Sequence, residues 1–393
     1  MSLLDIETLR AQTPGCARVA HFNNAGAALQ TKGVSDAVID HLRLESEMGG
    51  YEAAAAAADG LANFYTATAK LLNAKPPEIA FVENATRGWD MAFYAFSWRP
   101  GDRIITSVAE YASNYIAYLQ AARKYGVSVE VAPNDNQGAL DPKALAAMMD
   151  DRVRLISVTH VPTNGGLVNP AAVIGEIAKA HGVPYLLDAC QSAGQMPLDV
   201  EAIGCDMLSA TGRKYLRGPR GTGFLWVRES FIEKLEPPFL DLHAAEWIAP
   251  DDYKIRSDAK RFENWECNFA GKIGLGVAID EALDLGLDAI YAQIQALSRT
   301  LRKRLADIPG VTVRDIGAEQ CGIVTFTMDG VDPDRIKASL SAAHINVSVS
   351  GRSSTYLDMS TRGLDRIVRA SVHYYNTEDE IELLCERLST ITT

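Results

Sequence analysis

The chain has 393 residues, 47% of them hydrophobic, enough to bury a large core and to build two or three structural units. A formal net charge of -12 offers no basic field to nucleic acid or anionic lipid, and no stretch reaches the roughly 18 uncharged apolar residues of a membrane span, so neither partner is expected. The opening MSLLDIETLRAQTPG has no signal-like region, the six cysteines form no CxxC pair and the seven histidines show no HExxH spacing; a cytoplasmic protein without disulfides or a catalytic metal is expected.

In chain order, the alanine run Ala53 to Ala58, flanked by Tyr51, Leu61, Phe64 and Tyr65, predicts an ordinary helix. From about residue 79 to 228, short β-rich runs alternate with amphipathic helical stretches: EIAFVEN and a helix from Thr86, RIITS and a helix after Ser113, then SVEVAP, RLISVTH, PYLLD, DMLSA and GFLWV. That alternation predicts an α/β unit with a largely parallel sheet, whose ligands collect at the carboxyl ends of the strands. Past Gly271 one long helical pattern runs to about Asp307. It is followed by VTVRD, GIVTFTM, a helix from Pro333 to Ala343, NVSVS, IVRASV and a last helix ending near Ile391. The predicted division is an N-terminal segment 1–20 packed on a smaller α+β unit, 271–393, with a large unit, 21–270, between them.

Two polar positions stand where that sheet would bind a ligand. Asp188 ends the apolar run Pro184 to Leu187; a turn or helix-cap aspartate explains it equally well in isolation. Lys214 follows the run Met207 to Ala210 in a glycine-rich loop with Arg213, Arg217 and Arg220. A lone lysine there reads as a solvated charge, but neighbouring cations lower an ammonium pKa, and imine formation needs the free amine. The helix opening at Thr86 offers free backbone N–H groups to a phosphate, with small residues Ala85, Thr86 and Gly88 in front; capping by Asn84 or Thr86 is the alternative. A lysine for a Schiff base, an acid for a ring nitrogen and a helix N-terminus for a phosphate together describe a site for pyridoxal 5'-phosphate.

The run LLDACQSAGQMPLDVEAIGCDMLSATGRKYLRGPRGTGFLWV, with HFNNAGAALQ before it and RASVHYYNTEDEI after it, resembles the class V aminotransferase superfamily. That superfamily includes cysteine desulfurases, cystine C–S lyases and isopenicillin-N-epimerase-like proteins. The resemblance implies the fold type I architecture, with a mostly parallel seven-stranded sheet, and a homodimer with its site at the subunit interface. It implies that Lys214 is the Schiff-base lysine, that Asp188 pairs with the ring nitrogen and that Gln191 donates to the phenolic oxygen. Ala85, Thr86, Thr211 and Arg213 fall at its phosphate-binding positions, and Tyr111 at that of a ring-stacking histidine, where its hydroxyl is also a candidate proton carrier. Asn164, after Thr163, falls near the phenolic oxygen; Asn24 and Ala25 line the substrate pocket, and Arg369 matches the arginine that holds an amino acid's α-carboxylate.

Two departures shape the expected reaction. The stretch VSGRSSTYLDMSTRGLDRIVRAS has Ser353 and Ser354 where desulfurases of the superfamily carry a cysteine, and Glu266 stands where a threonine reaches the partner subunit's phosphate. The expectation is therefore β-elimination from cysteine, cystine or an S-substituted cysteine by a C–S lyase, not persulfide formation, with epimerisation and then transamination as alternatives. A nucleotide-binding oxidoreductase is disfavoured: the spacing from Gly218 to Gly223 is GxxGxG and leads into a strand rather than a helix.

Overall fold

The computed structural model describes residues 4–391. A two-residue strand, β1 (Ala20–His21), precedes seven strands in chain order: β2 (Ile79–Val82), β3 (Arg103–Ser107), β4 (Ser128–Ala132), β5 (Val153–Thr159), β6 (Tyr185–Asp188), β7 (Met207–Thr211) and β8 (Gly223–Val227). The seven form one sheet in the order β2-β8-β7-β6-β5-β3-β4. β8 runs against both of its neighbours, while the pairs from β7 to β4 are parallel. The seven-stranded, mostly parallel sheet is as expected.

Its strands read as continuous apolar runs because both faces are covered. Phe81, Ile105, Ile156, Leu187, Leu208 and Trp226 enter one core, and their neighbours Ala80, Ile104, Leu155, Leu186, Met207 and Leu225 enter another. This is the two-residue alternation of a pleated strand. Helices over the sheet also pack closely on one another: Gly175, in the helix Ala171–His181, faces the carbonyl of Ile203 at the end of the helix Val200–Ile203, and an added Cβ would lie 1.9 Å from that oxygen. Because a backbone carbonyl cannot swing aside, Gly175→Ala should cost about 1–3 kcal/mol, measured as a lowered denaturation midpoint with an unchanged denaturant slope.

Beyond a hairpin of β9 (Ala245–Ala249) and β10 (Asp252–Ile255) come β11 (Val311–Val313), β12 (Ile323–Met328), β13 (Ile345–Asn346), β14 (Ser348–Gly351) and β15 (Arg366–Ser371). β11-β12-β15-β14 form an antiparallel sheet with a third core, backed by the helices Leu287–Ala306, Pro333–Ala342 and Glu378–Ser389. β1 pairs in parallel with β13, and Arg10 forms an ion pair with Glu380, so the N-terminal segment is anchored on this C-terminal block.

Two predicted helices are broken. The long pattern after Gly271 is two helices, Phe269–Leu285 and Leu287–Ala306, separated at Gly286, whose φ of 82° leaves helical space. The alanine run belongs to a short helix, Gly50–Ala56, that ends at Ala57 before a second, Ala58–Leu72. No helix among the described residues is long and apolar enough to cross a membrane.

Candidate active site

The carboxyl ends of β3, β5, β6 and β7 converge with β15 on one cluster of charged side chains. Asp188 closes β6 and is 4% exposed; Oδ1 accepts the N–H of Cys190 at 2.9 Å, and Oδ2 accepts Nδ2 of Asn114 at 2.9 Å. Lys214 stands in the turn after β7, part-buried, and its ammonium is held below its ordinary pKa. Burial is the main cause; Arg213 and Arg369 add to it, while Cys190 and Asp188 oppose it. The expected direction holds, but desolvation outweighs the neighbouring arginines. Arg217 points elsewhere, its guanidinium bonded to Leu29 O and Thr13 Oγ1.

The positions expected to receive a phosphate are equally compact. Asn84 caps the helix Ala85–Phe93 by accepting the N–H of Arg87 at 2.9 Å, and within the described residues the N–H groups of Ala85 and Thr86 have no partner. Both readings of this segment therefore coexist: Asn84 caps, and two amides remain for an anion. Gly223 lets β8 pass close by, since a Cβ there would lie 2.6 Å from Ala210 O and 3.2 Å from Ala85 N. Thr211 is buried at the end of β7, its hydroxyl 3.4 Å from Thr222 O. Arg213 bonds through Nη1 to Gly26 O.

Tyr111 begins the helix Ala112–Tyr125, near enough to Arg213 and Arg369 to influence their ionisation. Arg369, on β15, is 8% exposed; Nη1 reaches Thr163 Oγ1 at 2.5 Å and Nε reaches Ser348 Oγ at 3.1 Å. The amide of Asn164 donates to Ser354 Oγ and Thr355 Oγ1, both at 3.0 Å, and Gln191 Nε2 donates to Ala25 O at 3.1 Å. Asn24 lies deeper than expected for a substrate contact: Nδ2 serves His21 O and Ser371 O, and Oδ1 accepts the Tyr375 hydroxyl. Ala25 sits between these groups, its N–H on Ser371 Oγ at 2.9 Å.

Pyridoxal 5'-phosphate fits these residues. The side-chain oxygens of Gln191 and Asn164 are buried without a hydrogen-bond partner, a costly state that an added polar group relieves. Beside them lie a lysine whose pKa is lowered by burial, a buried carboxylate and two free amides at a helix N-terminus. Glu110 and Asn114 are absent from the expected constellation. Their four-residue spacing directly after β3 is a signal for one helix face at the ligand edge, yet a glutamate there also reads as solvated.

Such a fold and such a site define a pyridoxal-phosphate-dependent enzyme. The aminotransferase class-V family profile matches residues 20–384, and the chain belongs to that family. A probable cysteine desulfurase of Methanothermobacter thermautotrophicus is 33% identical over 82% of this chain and 81% of its own. The apo cysteine desulfurase of Thermococcus onnurineus superposes with a TM-score of 0.91 at 28% identity, covering 99% of this chain and 98% of that one. The cystine C–S lyase C-DES, solved with its product cysteine persulfide, gives 0.88 at 25% identity over 97% and 100% of the two chains.

These relatives overturn the expected reaction. Desulfurases recur over nearly the whole length of the chain, so β-elimination in preference to desulfuration, with epimerisation and transamination behind it, does not stand. That expectation rested on the missing thiol in the segment before β15 together with a resemblance to the cystine C–S lyases of the superfamily. A thiol acceptor can be supplied in more than one way, whereas the apparatus that activates an amino acid is spread over the whole site.

Proposed function

We propose that this enzyme removes sulfur from L-cysteine and leaves alanine. The observation that carries the reading is the likeness to cysteine desulfurases over four fifths of the chain or more. The charges support it: Arg369 suits the α-carboxylate of an amino acid, and Lys214 can exchange a proton at the substrate's α-carbon once free of the cofactor. When bound, pyridoxal phosphate supplies the electron sink for that proton's loss. Gln191 and Asn164 are proposed to orient it, Ala85, Thr86, Thr211 and Arg213 to receive its phosphate, and Tyr111 to cover its ring.

Residues 351–355 carry no thiol, and Cys190, the cysteine coupled to Lys214 and Asp188, is pushed far up by burial and stays protonated. The reading is therefore completed with an outside thiol acceptor. The C–S bond of cysteine breaks, the carbon skeleton gains protons to become alanine, and sulfur passes to a thiol. A second thiol releases it as sulfide and forms a disulfide, so two thiols supply the two electrons. Holoenzyme given L-cysteine and dithiothreitol should yield alanine and sulfide in equal amounts, both dependent on the dithiol. Pyruvate and ammonia in place of alanine would defeat the proposal.

The same reading includes a cytoplasmic homodimer. Exposed Leu242, Trp247, Tyr253 and Trp265 cluster in sequence around the β9–β10 hairpin, beside exposed Glu266, and an apolar surface of this kind suits a second copy. The separate sheets support the proposed division into a larger cofactor unit and a smaller C-terminal one.

A further inference from the structure

Behind Asp188 lies a second carboxylate. Glu110, just after β3, is 3% exposed. Its oxygens accept Thr106 Oγ1 at 3.0 Å, the N–H of Tyr111 at 3.0 Å, Nδ2 of Asn114 at 2.8 Å, and the N–H and Oγ1 of Thr159 at 3.0 and 2.5 Å. Three of these donors, two backbone amides and the Asn114 NH2, cannot accept a hydrogen bond, so the cage is built for an ionised carboxylate. Asn114 continues the chain: the same Nδ2 also donates to Asp188 Oδ2 at 2.9 Å. One amide group thus spans two buried carboxylates.

We propose that Glu110, acting through Asn114, is a positioning residue that places a second negative charge behind Asp188 and so holds the proton on the cofactor's ring nitrogen. The physical reason is mutual repulsion. Two anions sharing a buried pocket raise each other's proton affinity, and a cation placed beside one of them relieves both. Burial, with the charge of Asp188 adding to it, lifts Glu110 to about 7 despite its donors. Of the other groups facing the pair, Tyr118 and Tyr185 are buried phenols driven far up, hence neutral, and Cys190 is likewise neutral. Lys214 is the cation on the Asp188 side, and its proton is already disfavoured. Above about pH 7, where Glu110 is ionised, the ring nitrogen is therefore the group best placed to answer the two negative charges. The same cage holds the backbone of Tyr111, which ties the start of its helix to this pair.

The inference rests on the cofactor and not on the proposed sulfur chemistry, so each can fail alone. The test is nitrogen-15 NMR of holoenzyme loaded with ring-labelled pyridoxal phosphate. In Glu110→Gln the charge is gone and the shape kept: the ring resonance should move toward neutral pyridine, and the nitrogen should lose its proton about one pH unit lower. In Asn114→Ala both charges stay but lose their shared donor, so the resonance should move the opposite way. A merely structural role disturbs both variants alike; shifts of the same sign, or an unmoved resonance in Glu110→Gln, would overturn the proposal. If Glu110→Gln does not fold, Asn114→Ala decides: movement toward pyridinium supports the assignment, and movement toward neutral pyridine or none refutes it.

Discussion

Lys214→Ala protein should carry no borohydride-reducible chromophore and should lose about 10⁴-fold or more in turnover, since on the proposed assignment one change removes both the covalent attachment and the base. The bound cofactor's visible spectrum before and after reduction checks the first part; a reducible band that survives the substitution would sink the assignment. A second consequence concerns the cofactor-free protein. Lys214 has a lowered pKa when folded, so the unfolded chain binds its proton more tightly. Burying the cation therefore destabilises the apo-protein below the lowered folded pKa, and the penalty fades as pH rises toward the unfolded value near 10.4. Lys214→Met should raise the apo-protein's melting temperature at neutral pH and flatten its rise toward alkaline pH. Equal melting of the two proteins throughout that window would contradict the burial argument. The site trades stability for reactivity at this position.

Arg369→Lys should raise KM for the amino-acid substrate about 10²-fold while changing kcat little. The guanidinium is clamped by Ser348 on one side and Thr163 on the other, and these bonds fix the plane in which it would meet the proposed α-carboxylate. Lysine keeps the charge but loses the fork, so it neither fills the clamp nor makes two parallel bonds. The guanidinium's pKa is lowered by burial, yet arginine starts so high that the charge persists at neutral pH. Steady-state kinetics with L-cysteine and with its decarboxylated analogue provide the check: the preference for the carboxylate-bearing substrate should collapse in the variant. An unchanged preference would remove Arg369 from the substrate's path.

The central strands were legible because a sheet buried on both faces demands unbroken apolar runs, such as Tyr185 to Leu187. The placement of Asp188 and Lys214 at the ligand edge of the sheet was legible for a related reason, as polar residues where those runs stop. The β9–β10 hairpin was not anticipated; Glu246, Trp247 and Ile248 are exposed and give no inside-outside rhythm. Gly286 was missed because apolar spacing continues on either side of it, and only its backbone angle reveals the break. Glu110 was hidden for a different reason. Its significance lies in Asn114, Thr159 and Asp188 around it, and two of those three come from distant parts of the chain.

The anchoring of Asn24 has a bearing on how this protein is made. Its amide is held by Ser371, 347 residues further along, and Ala25 rests on the same residue. A ribosome therefore releases the segment around Asn24 long before the strand that must brace it. Contacts of such separation close late and slowly, so the nascent chain can assemble its central sheet while the pocket remains unfinished. The bracing of this segment is complete only when the last strand has emerged, long after the turn that holds Lys214.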